Sequence, residues 1–303
     1  MMERRKAGLW PVMLTPFTSD GEVDFEALER LIDWYEKKGV DGLFADCQSS
    51  EIFFLSLDER VAIARFVKEH AHVPVIASGH VSNAFSAQLE ELRAIAETGV
   101  DALILITNRL VHPGRQGESI MPRVRAIMEA IPEIPLGFYE CPYPFKRLIT
   151  LEELAECRDT GRFAFMKDTC CDIETIGKRL DVLRGSGFGL YNANTTTALE
   201  SVRRGAAGFS GVMLNFHPDL YRFMLDNADS RPADAEAVQA FLTMFSEIER
   251  QYYPVNAKYY LTAFEPILNS PYARTLPAEG LTATFKDEVR QLAEAADWLR
   301  ARL

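Results

Sequence analysis

Gly39-Val40-Asp41-Gly42-Leu43-Phe44-Ala45 reads as a buried strand entered through a glycine. Nearly the same phrase returns at Gly99-Val100-Asp101-Ala102-Leu103-Ile104-Leu105-Ile106. Both copies follow a stretch of helical periodicity. Before the first, Phe25, Leu28, Leu31, Ile32 and Tyr35 fall on one stripe of a helix predicted over 25–38. Asp24 suits its N-cap, and Gly39 the residue just past its C-cap. A weaker third copy, Gly205-Ala206-Ala207-Gly208-Phe209-Ser210, follows a helix expected near 196–204. From Gly39 to Gly99 is 60 residues, room for two strand–helix units of about 30 each. Between them a helix over 57–70 and a strand over 73–77 complete the pattern.

Working outward, further strands are expected at 9–14, 135–139, 163–167 and 188–191, and helices at 83–98, 119–131, 151–157 and 173–183. That makes eight strand candidates, each apolar along nearly its whole length and each followed by a helix. Strands apolar on both faces that alternate with helices form a parallel sheet. Eight such units predict an α/β fold of the closed (β/α)8 TIM-barrel type. A doubly wound open sheet is the competitor, but no GxGxxG follows the first strand. Past Ala228 the pattern turns purely helical, at 233–249, 255–264 and 281–302. The expected organisation is a catalytic barrel over 1–228 and a C-terminal helical appendage over 229–303 packed on it.

The 303 residues carry 33 basic and 44 acidic side chains, a formal charge of −11. That balance argues against a nucleic-acid partner, which needs an excess of Lys and Arg on one face. No run of 18 apolar residues exists, and Met1–Lys6 is charged, so neither a membrane span nor a signal peptide is expected. Five cysteines without CxxC spacing read as free thiols in a reducing compartment, which places the chain in the cytoplasm.

In such a barrel the chemistry sits at the C-terminal ends of the strands. Lys167 closes the apolar run Phe163-Ala164-Phe165-Met166, so its ammonium projects into the barrel mouth. Desolvation there lowers its pKa, and a neutral amine can form a Schiff base with a carbonyl. The competing reading is a structural lysine paired with Asp168 or Glu140. Tyr139 ends the neighbouring strand, where a phenol can shuttle protons. Ser49 and Ser50 offer hydroxyls and amides in a tight turn suited to a carboxylate. A metal reading draws on Cys47, His80, His112, Cys141, Cys170 and Cys171 with Asp46, Glu51, Glu140 and Asp168, but none has ligand spacing such as HxH or HExxH.

The segment Leu14-Thr15-Pro16-Phe17, with Gly21, Val23 and Asp24, resembles the opening of the dihydrodipicolinate synthase / N-acetylneuraminate lyase family. The similarity continues through Glu51, Leu55-Ser56-Leu57-Asp58-Glu59-Arg60, Val73-Pro74-Val75-Ile76-Ala77, Tyr139 and Met166-Lys167-Asp168. It ends with Gly205-Ala206-Ala207-Gly208, Asn215, Pro218 and Asn256-Ala257-Lys258, in order along nearly the whole chain. The resemblance implies a homotetramer or homodimer and Schiff-base chemistry on pyruvate or another 2-oxo acid, with no metal or organic cofactor. It assigns Lys167 to the Schiff base, Tyr139 to proton relay and Ser49 to the oxo-acid carboxylate.

The departures bear on the second substrate. The family's Gly-[Thr/Ser]-Thr-Gly-Glu turn is here Cys47-Gln48-Ser49-Ser50-Glu51, so Gln48 replaces a proton-passing hydroxyl. An amide orients a group but does not ionise. Arg109-Leu110 stands where the synthases carry a tyrosine pair, and Pro144 stands near the position of their carboxylate-binding arginine. The expectation is a class I aldolase or lyase joining pyruvate to, or cleaving it from, an aldehyde-type substrate. Catalysis falls to Lys167 and Tyr139; substrate binding falls to Ser49, Ser50, Gln48, Arg109 and Ser210, with His80 and Glu140 shaping selection. Dihydrodipicolinate synthase proper and a catalytically impaired oxo-acid-binding relative are the alternatives.

Overall fold

The computed structural model describes residues 6–112, 114–115 and 117–303. The first five residues of the charged Met1–Lys6 segment lie outside that set. In chain order the elements are β1 (Gly8–Leu9), α1 (Phe25–Lys37), β2 (Leu43–Ala45), α2 (Leu57–His70), β3 (Val75–Ala77), α3 (Phe85–Ala96), β4 (Ala102–Ile106) and α4 (Met121–Ala130). Then come β5 (Leu136–Tyr139), α5 (Leu151–Asp159), β6 (Phe163–Asp168), α6 (Ile173–Leu183), β7 (Gly189–Asn192), α7 (Ala198–Arg203), β8 (Gly208–Phe209) and α8 (Pro218–Asp226). The tail adds α9 (Pro232–Phe245), α10 (Val255–Ala263) and α11 (Ala283–Arg300).

All neighbouring strands pair in parallel, in the order β1-β8-β7-β6-β5-β4-β3-β2. The ring closes between β1 and β2 through a single bridge, Val12 to Phe44. Met13 N donates to Phe44 O at 3.0 Å, and Phe44 N to Pro11 O at 3.0 Å. The first strand is therefore shorter than the expected 9–14. Pro11 has no N–H to donate, and past it only the Val12–Phe44 bridge continues the pairing. Asp24 caps α1 as its position suggests, accepting from Ala27 N at 2.9 Å, and Gly39 ends the helix at φ +83°.

Two apolar layers result from the two-residue period of the strands. Val12, Phe44, Ile76, Ile104, Ile106, Tyr139 and Phe165 pack together as the barrel interior. Leu43, Leu103, Leu105, Phe138 and Met166 belong instead to the core between sheet and helices. Trp10 fills the barrel floor, edge-on to Phe165 at 5.3 Å and Tyr191 at 5.8 Å. Gly42 is required there, because a Cβ would lie 2.4 Å from the Trp10 ring.

The helix expected over 233–249 divides in two. α9 starts with proline, ends at Phe245, and gives way to a tight 3-10 turn over Ser246–Arg250. That break turns Glu249 and Tyr253 toward the barrel mouth. Further ties bind the tail: Trp34 Nε1 donates to Glu265 Oε2 at 3.0 Å, and Arg300 binds Asp219 through bonds of 2.7 and 3.0 Å.

Candidate active site

At the C-terminal mouth of the barrel lies a cavity of about 560 Å³. Its walls include Gln48, Ser49, Tyr139, Lys167, Asn194 and Thr195 from the strand ends, and Glu249 and Tyr253 from the tail. Lys167 sits in β6 directly opposite Tyr139 in the ladder with β5. Both side chains share the inward face with Phe165, two residues before Lys167. The Lys167 Nζ stands 5.0 Å from the centre of the Tyr139 ring.

Burial decides the state of the lysine. It is only 4% exposed and makes no hydrogen bond or ion pair within the described residues. Loss of hydration lowers its pKa from 10.5 to about 8, against the pull of the nearby Cys47 and Glu249. At pH 7 roughly one such amine in ten is neutral. The carboxylates that could have claimed it are engaged elsewhere. Arg179, from α6, binds both Asp168 and Glu140, the latter at 2.7 Å. Glu140 also accepts from Ile149 N at 2.8 Å and Thr169 N at 3.1 Å. It is thus a buried brace outside the cavity, not a selector of substrate.

Burial raises the Tyr139 phenol well above its ordinary value, so it stays protonated. Beside it, the Cys141 thiol lies 3.3 Å from Gln48 Oε1. The Gln48 amide nitrogen is left without a hydrogen bond among the described residues.

The turn after β2 is a 3-10 turn over Gln48–Ser50 that runs into Glu51 at φ 62°, a left-handed conformation costly for a residue with a Cβ. A buried clamp holds it. Lys258 Nζ, from α10, meets Glu51 Oε1 at 2.5 Å, while Arg274 N and Thr275 N donate to Oε2 at 2.6 and 2.8 Å. Ser50 is drawn into the same scaffold: its hydroxyl donates to Met13 O at 2.7 Å and accepts from Cys47 N at 3.1 Å. Of the two serines, only Ser49 faces the cavity.

Arg109 and Ser210 also lie outside the cavity walls. The Arg109 guanidinium stacks 4.9 Å from the Phe53 ring and reaches Asn83 Oδ1 at 3.2 Å. Ser210 is fully buried. His80 is buried too, with Nε2 accepting from Ile106 N at 2.6 Å, and burial takes its pKa down to about 4. Among the described residues no three His, Cys, Asp or Glu side chains gather so as to hold a metal ion. Nor is any described helix long and apolar enough to cross a membrane. Glu249 and Tyr253 escaped the sequence reading because only the tail's fold carries them to the barrel mouth.

Residues 5–296 match the profile of the dihydrodipicolinate synthetase family. A 4-hydroxy-tetrahydrodipicolinate synthase from Saccharophagus degradans is 27% identical over 300 residues, spanning 96% of this chain and 99% of its own length. One from a Shewanella species is 30% identical over 227 residues, spanning 74% of this chain and 76% of its own. Among solved structures, a dihydrodipicolinate synthase from Bacillus anthracis aligns with a TM-score of 0.84 at 20% identity, covering 96% of this chain and 99% of that one. A prophage protein of the dihydrodipicolinic acid synthase family from E. coli, in complex with pyruvate, aligns at 0.82 and 21% identity, covering 97% and 98%. Likeness at that level of identity shows the fold.

Proposed function

We propose a reaction from one premise: the chain belongs to the dihydrodipicolinate synthetase family. The protein acts as a Schiff-base lyase that forms or cleaves a C–C bond between pyruvate, or a related 2-oxo acid, and an aldehyde. The observation that carries this reading is Lys167, buried in the barrel mouth with no carboxylate bound to it and a pKa brought down to about 8.

The neutral Nζ adds to the C2 carbonyl of pyruvate, and the resulting carbinolamine loses water to give the imine. Tyr139, opposite Lys167, donates the proton that lets the C2 oxygen leave. Ser49, at the neck of the cavity, takes the oxo-acid carboxylate, and the free Gln48 amide orients the bound acid. The Tyr139 phenolate left by that transfer takes a C3 proton from the protonated imine, giving the enamine that adds to the aldehyde. No metal or organic cofactor enters the scheme.

Borohydride reduction in the presence of pyruvate, followed by peptide mass spectrometry, tests it. The expected result is a single reduced pyruvyl adduct on Lys167. The trapping rate should rise with pH through about 8, because only the neutral amine reacts. No adduct, or an adduct on another lysine, sinks the proposal. Tyr139→Phe should still bind pyruvate but form the adduct about 100-fold more slowly, the usual worth of a positioned proton donor. Single-turnover trapping measures that rate, and a rate within threefold of the parent's removes Tyr139 from the scheme.

A further inference from the structure

Besides Lys167, the cavity wall presents charge from both the barrel and the tail, and most of it is committed. Lys146 Nζ donates to Thr169 O at 2.7 Å, Arg250 pairs with Glu247 at 2.9 Å on the exposed rim, and Glu51 is clamped by Lys258. Glu249 differs. It lines the cavity from the 3-10 turn after α9, and it makes no hydrogen bond or ion pair among the described residues. Partial burial raises its pKa to about 7, partly offset by the attraction of Lys167.

The same wall carries aromatic and apolar side chains: Phe53 and Tyr143 meet with ring centres 5.2 Å apart, and Val212 and Leu276 line it too. Arg109 lies beyond Phe53, outside the wall, and does not reach this space. Lys146 is held by a neutral carbonyl and Arg250 by a solvent-exposed pair, so both keep their charge on this wall, whereas Glu249 has no cation bound to it among the described residues. An aldehyde carbonyl would find an acid.

We propose that Glu249 is the acid–base group for the oxygen of the second substrate. In the forming direction the enamine's electron pair makes the C3–C4 bond and restores the imine at C2. The carbonyl π pair of the aldehyde becomes an O–H bond with the proton of the Glu249 carboxyl. In cleavage the carboxylate takes that proton back as the C3–C4 pair returns to the enamine. This supplies the ionisable group that Gln48 does not, and it rests on the Schiff-base reading above.

The test pairs the parent enzyme with Glu249→Gln, using pyruvate with either benzaldehyde or glyoxylate. Glu249→Gln should still trap pyruvate on Lys167, no more slowly than the parent because the attraction that favours the ammonium is gone, yet lose about 100-fold in kcat for the aldol step. The parent's fall in kcat as pH rises through about 7 should vanish in the variant. A variant within threefold of the parent, or pyruvate trapping without turnover of either aldehyde, overturns the assignment while leaving the Schiff base standing. Failure to trap pyruvate in the parent overturns both.

Discussion

Lys167→Met yields no trapped pyruvate and at least about 10⁴-fold less aldol product than the parent, since the buried amine that forms the imine is gone. The same variant should be the more stable protein at neutral pH. A folded-state pKa near 8, against 10.5 for the free side chain, means that folding disfavours the ammonium by about 3 kcal/mol. That cost is complete below pH 8, where both states are protonated. It fades as pH rises toward 10.5, because there the unfolded chain holds a proton that the folded one lacks. Methionine fills a similar volume without charge, so its advantage in urea unfolding should be largest at pH 7 and gone by about pH 10.5. A variant less stable than the parent at pH 7 would mean that the buried amine is satisfied by contacts not counted above.

The barrel was legible because its signal repeats. The helix stripes, the glycine entries and the uniformly apolar strands each recur, so an error in one unit, such as the overlong first strand, leaves the count intact. Lys167 and Tyr139 were legible for a related reason. Each ends an apolar strand, and adjacent parallel strands in register bring their last inward residues side by side. Ser50, Glu140 and His80 stand at strand ends as well, yet each is consumed by the scaffold: by Met13 O, by Arg179 and by Ile106 N. Position at a strand end does not reveal which face a side chain takes, or which partner reaches it first. Glu249 lay beyond reach, since helical periodicity ran straight through the point where the helix tightens into its 3-10 turn. Asn256-Ala257-Lys258 was visible as a resemblance, but its work, holding Glu51 in a left-handed turn some 200 residues earlier, depends on the folded tail.

Arg179→Met should be the most damaging single change to the fold outside the cavity. The guanidinium is buried and is the cation shared by Glu140 and Asp168, whose side chains are both fully buried. Without it two carboxylates remain in a dry interior, and breaking such a buried pair costs about 3–5 kcal/mol. The pH dependence separates this cause from simple loss of packing. In the variant each carboxyl escapes its burden by holding a proton in the folded state, so the folded protein binds more protons than the unfolded one. Stability then falls as pH rises, and the deficit relative to the parent should be larger at pH 8 than at pH 5. Urea titrations at the two pH values measure it, and an equal deficit at both would refute the electrostatic account. Adding Glu140→Gln and Asp168→Asn should recover part of the loss at pH 8, since the uncompensated charges are then gone. The folded fraction of Arg179→Met should still trap pyruvate, because the guanidinium acts one layer outside the cavity and its effect on Lys167 is to keep two carboxylates away from the amine.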